Sequence, residues 1–238
     1  MSKLTKNIIC FHRNLSNNKK MALKLNHSII KNDDNIILLN DNLKEVSPCN
    51  FKSNNNYYIL NGHINELNTN TKKKYTNTNN LYSWIHGVTK LSAKSQIIEY
   101  NAYINDYHEV NHDIFDNILN ISNNNKIKFD CAIGFSHGIF PTAVMLQQKL
   151  IKNAIIICPQ TIKGDDIFEN IKDCNILCIS GAKDYILNDS LKSYIELQKN
   201  NNCELFITNK GHQIPQNKKD DIISFEALKK IHKFIENC

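Results

Sequence analysis

The sequence predicts an α/β fold built on a mostly parallel sheet with helices on both faces. Three observations carry this. Short runs rich in isoleucine and leucine recur along the chain and are continuously apolar, as strands covered on both faces require. Between them stand segments with apolar residues at helical spacing. From about residue 125 to the end the two kinds alternate, the order that builds a parallel sheet.

Taken in order, strands are expected at Asn7–Phe11, Asn35–Leu39, Phe129–Gly134, Ala154–Cys158, Asn175–Ser180 and Glu204–Thr208. A helix is expected from about Glu99 to Ile121, where Ile114, Ile118 and Ile121 share a face. Others are expected at His137–Ile151 and Asn188–Lys199, and the last at Ser224–Glu236, where Phe225, Leu228, Ile231 and Ile235 share a face. Residues 48–96 read as a polar loop or insertion, because they hold Asn54-Asn55-Asn56, Asn-Thr repeats and Lys72-Lys73-Lys74. With that insertion set aside, residues 1–238 read as a single domain.

Composition bounds the function. A chain of 238 residues with 41% hydrophobic and 22% charged residues can bury one sizeable core. Asparagine, lysine and isoleucine are abundant, which fits an A/T-rich coding bias. The net charge of +6 is spread along the chain, so the lysines read as a solvated surface and no nucleic-acid partner is expected. The eight cysteines include no C-x-x-C pair, which argues against a metal site, and most adjoin apolar runs as buried free thiols do. No stretch reaches the roughly 18 apolar residues of a membrane span, and the N-terminus lacks a signal-peptide pattern. The expectation is a soluble, reduced, cytoplasmic protein without a cofactor, with a homodimer left open.

The chemistry-bearing signal is Gly134-Phe135-Ser136-His137-Gly138, a G-x-S-x-G pattern between an expected strand and an expected helix. That context is the nucleophile elbow of the α/β-hydrolase fold: the serine takes a strained backbone position, and small residues are needed two before and two after it. Only 7 glycines occur in the chain, and four of them, Gly134, Gly138, Gly181 and Gly211, stand beside candidate catalytic residues.

Asp184 follows the strand Asn175–Ser180 in the turn Gly181-Ala182-Lys183-Asp184-Tyr185, at the carboxyl end where α/β sites are built. Asp165, Asp166, Asp173 and Asp189 lack that placement. His212 follows the last strand in the loop Gly211-His212-Gln213-Ile214-Pro215, whereas His232 lies within an amphipathic helix and reads as a packing or surface residue. The chain order Ser136, Asp184, His212 is that of the α/β hydrolases. The oxyanion donors are expected to be the backbone N–H of His137 and one near Asn14, in the loop after the first strand. The His137 side chain reads as non-catalytic. Trp84, Phe135, Phe140 and Tyr185 are candidates for a substrate-pocket wall.

These residues resemble the FSH branch (family of serine hydrolases) of the α/β hydrolases. Ile8-Ile9-Cys10-Phe11-His12 is similar to the opening strand of that group. Tyr82-Ser83-Trp84 resembles its aromatic pair. Phe129-Asp130-Cys131-Ala132-Ile133-Gly134-Phe135-Ser136-His137-Gly138 resembles its elbow. Gly181–Asp184 and Gly211-His212-Gln213-Ile214-Pro215 resemble its acid and base segments. Arg13 stands where the group has glycine, Ile139 where it favours a small residue, and Lys210 where a glycine often precedes the G-H pair. The resemblance implies cleavage of a small-molecule carboxylic ester or thioester through a Ser-His-Asp triad and an acyl-enzyme, with no metal or organic cofactor. The alternative is a catalytically weak or inactive binding protein on the same fold, suggested by Arg13 in the oxyanion loop. A peptidase is a third reading, and nothing in the sequence indicates its extended cleft.

Overall fold

The computed structural model describes residues 5–12, 16, 18–31, 33–39, 55–60, 64–65, 82–83, 87–91, 98–102, 116, 118–123, 126–160, 167–168, 170–217 and 221–238. Seven strands form one sheet: β1 (Lys6–Phe11), β2 (Asn35–Leu39), β3 (Asn55–Leu60), β8 (Cys131–Phe135), β9 (Asn153–Ile157), β10 (Asn175–Gly181) and β11 (Asn202–Thr208). Their order is β11-β10-β9-β8-β1-β3-β2, and every pair in it is parallel. Two short antiparallel pairs lie apart, β4 (Ile64–Asn65) with β5 (Tyr82–Ser83), and β6 (Gly87–Leu91) with β7 (Ile98–Ala102).

Period-two alternation splits the strand residues between two cores. Ile9, Phe11, Tyr58, Leu60, Ala132 and Ile156 point to one face, where they meet α2 (Ile139–Gln147) and Leu197 of α3 (Leu187–Gln198). Ile8, Cys10, Tyr57, Ile59, Cys131, Ile133 and Phe135 point to the other. There they meet Met21 and Leu25 of α1 (Asn18–Asn26) and Leu228, Ile231 and Ile235 of α4 (Ile222–Glu236). Both faces are covered over the central strands β1, β8, β9 and β10, which are apolar along most of their length, whereas the edge strands β2 and β11 alternate buried or half-buried with exposed residues.

Three expectations are corrected. The segment 48–96 is more than a polar loop or insertion, because it contains β3. Tyr57 and Ile59 are fully buried, and the strand lies between β1 and β2, satisfying its backbone on both sides. The helix expected from Glu99 begins instead as β7, since Ile98–Ala102 pairs with Gly87–Leu91; residues 118–123 are helical, with Ile118 and Ile121 buried as expected. In α4, Phe225 is exposed and Ser224 takes the buried position, held by the N-cap Asp221, whose Oδ1 and Oδ2 accept from the Ser224 N–H and hydroxyl at 3.1 and 2.6 Å.

Asparagines also have a structural use beyond any coding bias. At the amino ends of the strands, Asn35 Nδ2 donates to Asn56 Oδ1, Asn56 Nδ2 to Asn7 Oδ1, and Asn7 Nδ2 to the Lys128 carbonyl, at 2.9, 2.9 and 3.1 Å. From the opposite edge, Asn202 donates to Asn175, Asn175 to Asn153, and Asn153 to the Asp130 carbonyl, at 3.0, 3.1 and 3.1 Å. Two side-chain ladders therefore converge on the residues just before β8. Each amide both donates and accepts, which suits asparagine to a chain of this kind. The carboxyl ends of the strands are left for the site.

Candidate active site

Ser136 follows β8 directly and sits at φ 56°, a left-handed conformation at a non-glycine residue. The chain then makes one 3-10 turn, Ser136–Gly138, before α2. This sharp reversal demands glycines. A Cβ on Gly134 would stand 2.5 Å from Thr142 Oγ1 and 2.6 Å from the Gly138 carbonyl oxygen, and one on Gly138 would stand 2.4 Å from the Phe11 carbonyl oxygen. The elbow is thus pressed against the end of β1. The first N–H groups of a helix point out of its N-terminus, beside Ser136.

The turn after β10 and the loop after β11 are joined by continued strand-like bonding. Ala182 N–H donates to the Thr208 carbonyl and Lys183 N–H to the Lys210 carbonyl, both at 2.8 Å. Close approach makes Gly181 obligatory, since its Cβ would lie 2.3 Å from the Lys210 carbonyl oxygen. Gly211 differs: its Cβ would meet nothing nearer than 3.4 Å, so its place beside His212 is not sterically required. His212 is the apex of a three-residue turn closed by Gln213 N–H to the Gly211 carbonyl at 2.9 Å.

This geometry brings His212 Nδ1 to 2.9 Å from Asp184 Oδ2, with the carboxylate fully buried and the imidazole nearly so. Oδ1 of Asp184 accepts from the Ile186 N–H at 3.0 Å. Burial pushes the Asp184 carboxyl up, but the bond from His212, the Ile186 N–H, the charge of His212 and the Cys158 thiol together hold it below the usual carboxylate range. An ionised acceptor at Oδ2 requires the proton on Nδ1, which leaves Nε2 as the basic nitrogen. The His212 ring packs against two aromatics, Phe135 and Tyr185, each with its centroid 5.2 Å away. Phe135 is the residue before Ser136.

The other expected residues fall in different places. His137 is buried, its Nε2 is 3.0 Å from Gln160 Oε1, and its ring meets Phe140 edge-on at 5.4 Å. Burial lowers His137 to about 3, against the raising effect of Gln160 and with a further lowering by His212. It is therefore neutral at physiological pH. Phe140 is fully buried in the core; Tyr185 is 59% exposed beside His212. Asn14, Arg13 and Trp84 lie outside the described residues. His232 bonds the Ile29 carbonyl at 2.8 Å through Nε2, a packing role.

Sequence reasoning missed Cys158 and Gln160, which follow β9 without any motif. Cys158 Sγ, an Asp184 oxygen and a His212 nitrogen lie within 4.8 Å of one another. Sulfur, oxygen and nitrogen donors of this kind suit zinc. A metal there would compete with the Asp184–His212 bond. The described cysteines are free thiols. Among the described residues, no helix is long and apolar enough to cross a membrane.

The serine hydrolase (FSH1) family matches residues 39–222. No curated protein matches the chain in sequence. Among solved structures, esterase PE8 matches with a TM-score of 0.61 at 12% identity, over 96% of this chain and 92% of its own. A SOBER1 variant from Arabidopsis thaliana gives 0.58 at 14%, over 98% and 99%, and a carboxylesterase from Bacillus cereus 0.57 at 14%, over 98% and 91%. At these identities the likeness is one of architecture, and the architecture is the α/β-hydrolase fold.

Proposed function

The chain belongs to the serine hydrolase (FSH1) family, and on that premise we propose that it cleaves small-molecule carboxylic esters or thioesters through a Ser136–His212–Asp184 triad. The observation that carries this reading is the 2.9 Å bond from His212 Nδ1 to a buried, ionised Asp184. It fixes the tautomer in which Nε2 is the base.

In this mechanism Ser136 Oγ attacks the acyl carbonyl while His212 Nε2 takes its proton. The tetrahedral oxyanion is held by the backbone N–H of His137 and by one near Asn14, each such donor worth about 2.7–4 kcal/mol in the transition state. His212 returns the proton to the departing alcohol or thiol, and the acyl group stays on Ser136. Water, deprotonated by His212, then releases the acid. Asp184 stays ionised and stabilises the imidazolium in both steps. Tyr185, exposed beside His212, and Trp84 are the proposed pocket wall; Phe135, expected there too, is 1% exposed and packs in the core against the His212 ring instead. Free thiols fit a reducing, cytoplasmic setting.

The test is labelling by a fluorophosphonate probe, comparing the native protein with Ser136→Ala. The expected result is labelling that disappears in the variant. Folded native protein that takes no label would overturn the triad and favour a non-catalytic binding protein.

A further inference from the structure

The turn that leaves β9 touches both halves of the site. Cys158 opens it at φ 49°, a conformation that glycine adopts more readily than any side chain. Such strain persists where the surroundings impose it, and it clusters at functional positions. Cys158 is 1% exposed, and its N–H donates to the Ile179 carbonyl at 2.8 Å. Its Sγ lies within 4.8 Å of an Asp184 oxygen and of a His212 nitrogen, and the thiol donates to the carbonyl of Gln213, the residue after His212, at 4.0 Å. The next residue, Pro159, accepts at its carbonyl from the buried Ser190 hydroxyl at 2.9 Å, which ties the turn to the start of α3. Gln160 follows, with Oε1 at 3.0 Å from His137 Nε2. Three consecutive residues thus reach the acid, a helix, and the residue after the nucleophile.

We propose that the turn Cys158-Pro159-Gln160 is a positioning element shared by the two halves of the active site: Cys158 braces Asp184, and Gln160 braces His137, the residue whose N–H faces the oxyanion. This rests on the triad reading given above. The Asp184 carboxylate already spends Oδ2 on His212 and Oδ1 on Ile186. The Cys158 sulfur, close to this group and bonded to the His212 loop at Gln213, limits the movement of acid and base relative to each other. A thiol suits this place because it is a weak donor and a small hydrophobe. It can be fully buried at modest cost, and it draws little charge away from the bond to His212. Gln160, for its part, fixes the ring of a neutral His137, and with it the peptide that follows Ser136.

The experiment measures kcat, KM and pH profile on a p-nitrophenyl acyl ester, together with the rate of fluorophosphonate labelling, for Cys158→Ala, Cys158→Ser and Gln160→Met. Cys158→Ala is expected to lower kcat by about three- to tenfold with KM unchanged, the size of one modest hydrogen bond. It should also move the acidic limb of kcat/KM to higher pH, because a carboxylate that loses a contact favouring its ionised form holds the proton of the Asp–His pair more tightly. Cys158→Ser keeps a donor, restores most of both, and covers the case in which the alanine variant fails to fold. Gln160→Met keeps the volume and loses the acceptor; it should slow labelling without moving the pH limb. Native rates and pH profiles in Cys158→Ala and Gln160→Met would overturn the proposal while native labelling left the triad standing. Absence of labelling in the native protein would instead remove the triad and this inference with it.

Discussion

Lys210 Nζ lies 2.8 Å from Oδ2 of Asp221, so the loop that carries His212 is clamped to the N-cap of the last helix. Lys210 is two residues from His212, and the Asp221 carboxylate also caps Ser224. The bonds from Lys210 and then Ser224 hold the Asp221 carboxyl down to about 2. For a carboxylate depressed on folding, the associated stability is present above its unfolded value and is lost as pH falls through the folded one. Lys210→Met should therefore raise the pH at which acid unfolding begins. Asp221→Ala should lower the thermal midpoint by about 2–4 °C at neutral pH. Circular dichroism across pH and temperature measures both.

His137 acts in the opposite charge sense at a higher pH. It is buried and neutral, with its pKa lowered from 6.5 to about 3. The unfolded chain takes up a proton below about 6.5 and the folded one does not. Stability should consequently decline as pH falls from 6.5 towards 3, and the decline should begin above the range in which most carboxylates titrate. Replacing the imidazole by an amide in His137→Gln should flatten this part of the profile. Urea unfolding at pH 7, 6 and 5 checks it; parallel declines in both proteins would assign the acid sensitivity elsewhere.

The glycines of the site should not behave alike. Gly138→Ala forces a Cβ to 2.4 Å from backbone at the end of β1, whereas Gly211→Ala meets its nearest atom at 3.4 Å. The first is expected to cost about 1–3 kcal/mol or more, and to abolish fluorophosphonate labelling by displacing Ser136. The second should leave the urea midpoint close to native. Equal effects of the two substitutions would contradict the close approach at the elbow.

Breaking an asparagine ladder at its middle should cost more than trimming its end. The Asn56 side chain is half-buried and bonds both Asn35 and Asn7, while the exposed Asn202 side chain donates to Asn175 at the end of its ladder. Asn56→Ala is expected to lose about 1–2 kcal/mol and leave Asn7 short of a partner, and Asn202→Ala less than about 0.5 kcal/mol. Denaturant midpoints with unchanged m-values would report this directly.

How much was legible depended on how local each signal was. β1, β8, β9 and β10 are legible because strands buried on both faces must be apolar along most of their length, and the edge strands β2 and β11 because each carries a short run of apolar residues even though part of it is exposed. β3 did not: it opens Asn55-Asn56-Tyr57-Tyr58 within an asparagine-rich stretch, and its place comes from pairing with β1 and β2 on either side. β7 reads Ile-Glu-Tyr-Asn-Ala, a short alternation that resembled the start of a helix until it paired with β6. Phe225 misled because apolar spacing alone does not say which residue of the first turn faces inward; the Asp221 cap turned Ser224 there.

Sequence alone determined the α/β class and the places along the chain of six of the seven strands in the main sheet, and it singled out the elbow around Ser136 with Asp184 and His212 as candidate partners, since each rests on neighbouring residues and on chain order. Only the tertiary structure decided that Asp184 and His212 meet at 2.9 Å, that Gly211 is sterically dispensable, that asparagines tie the amino ends of the strands together, and that Cys158 and Gln160 stand behind the site. Those are contacts between segments far apart in the chain. Their distances are set by strand register and by the crossing of loops over the sheet, which no local pattern records.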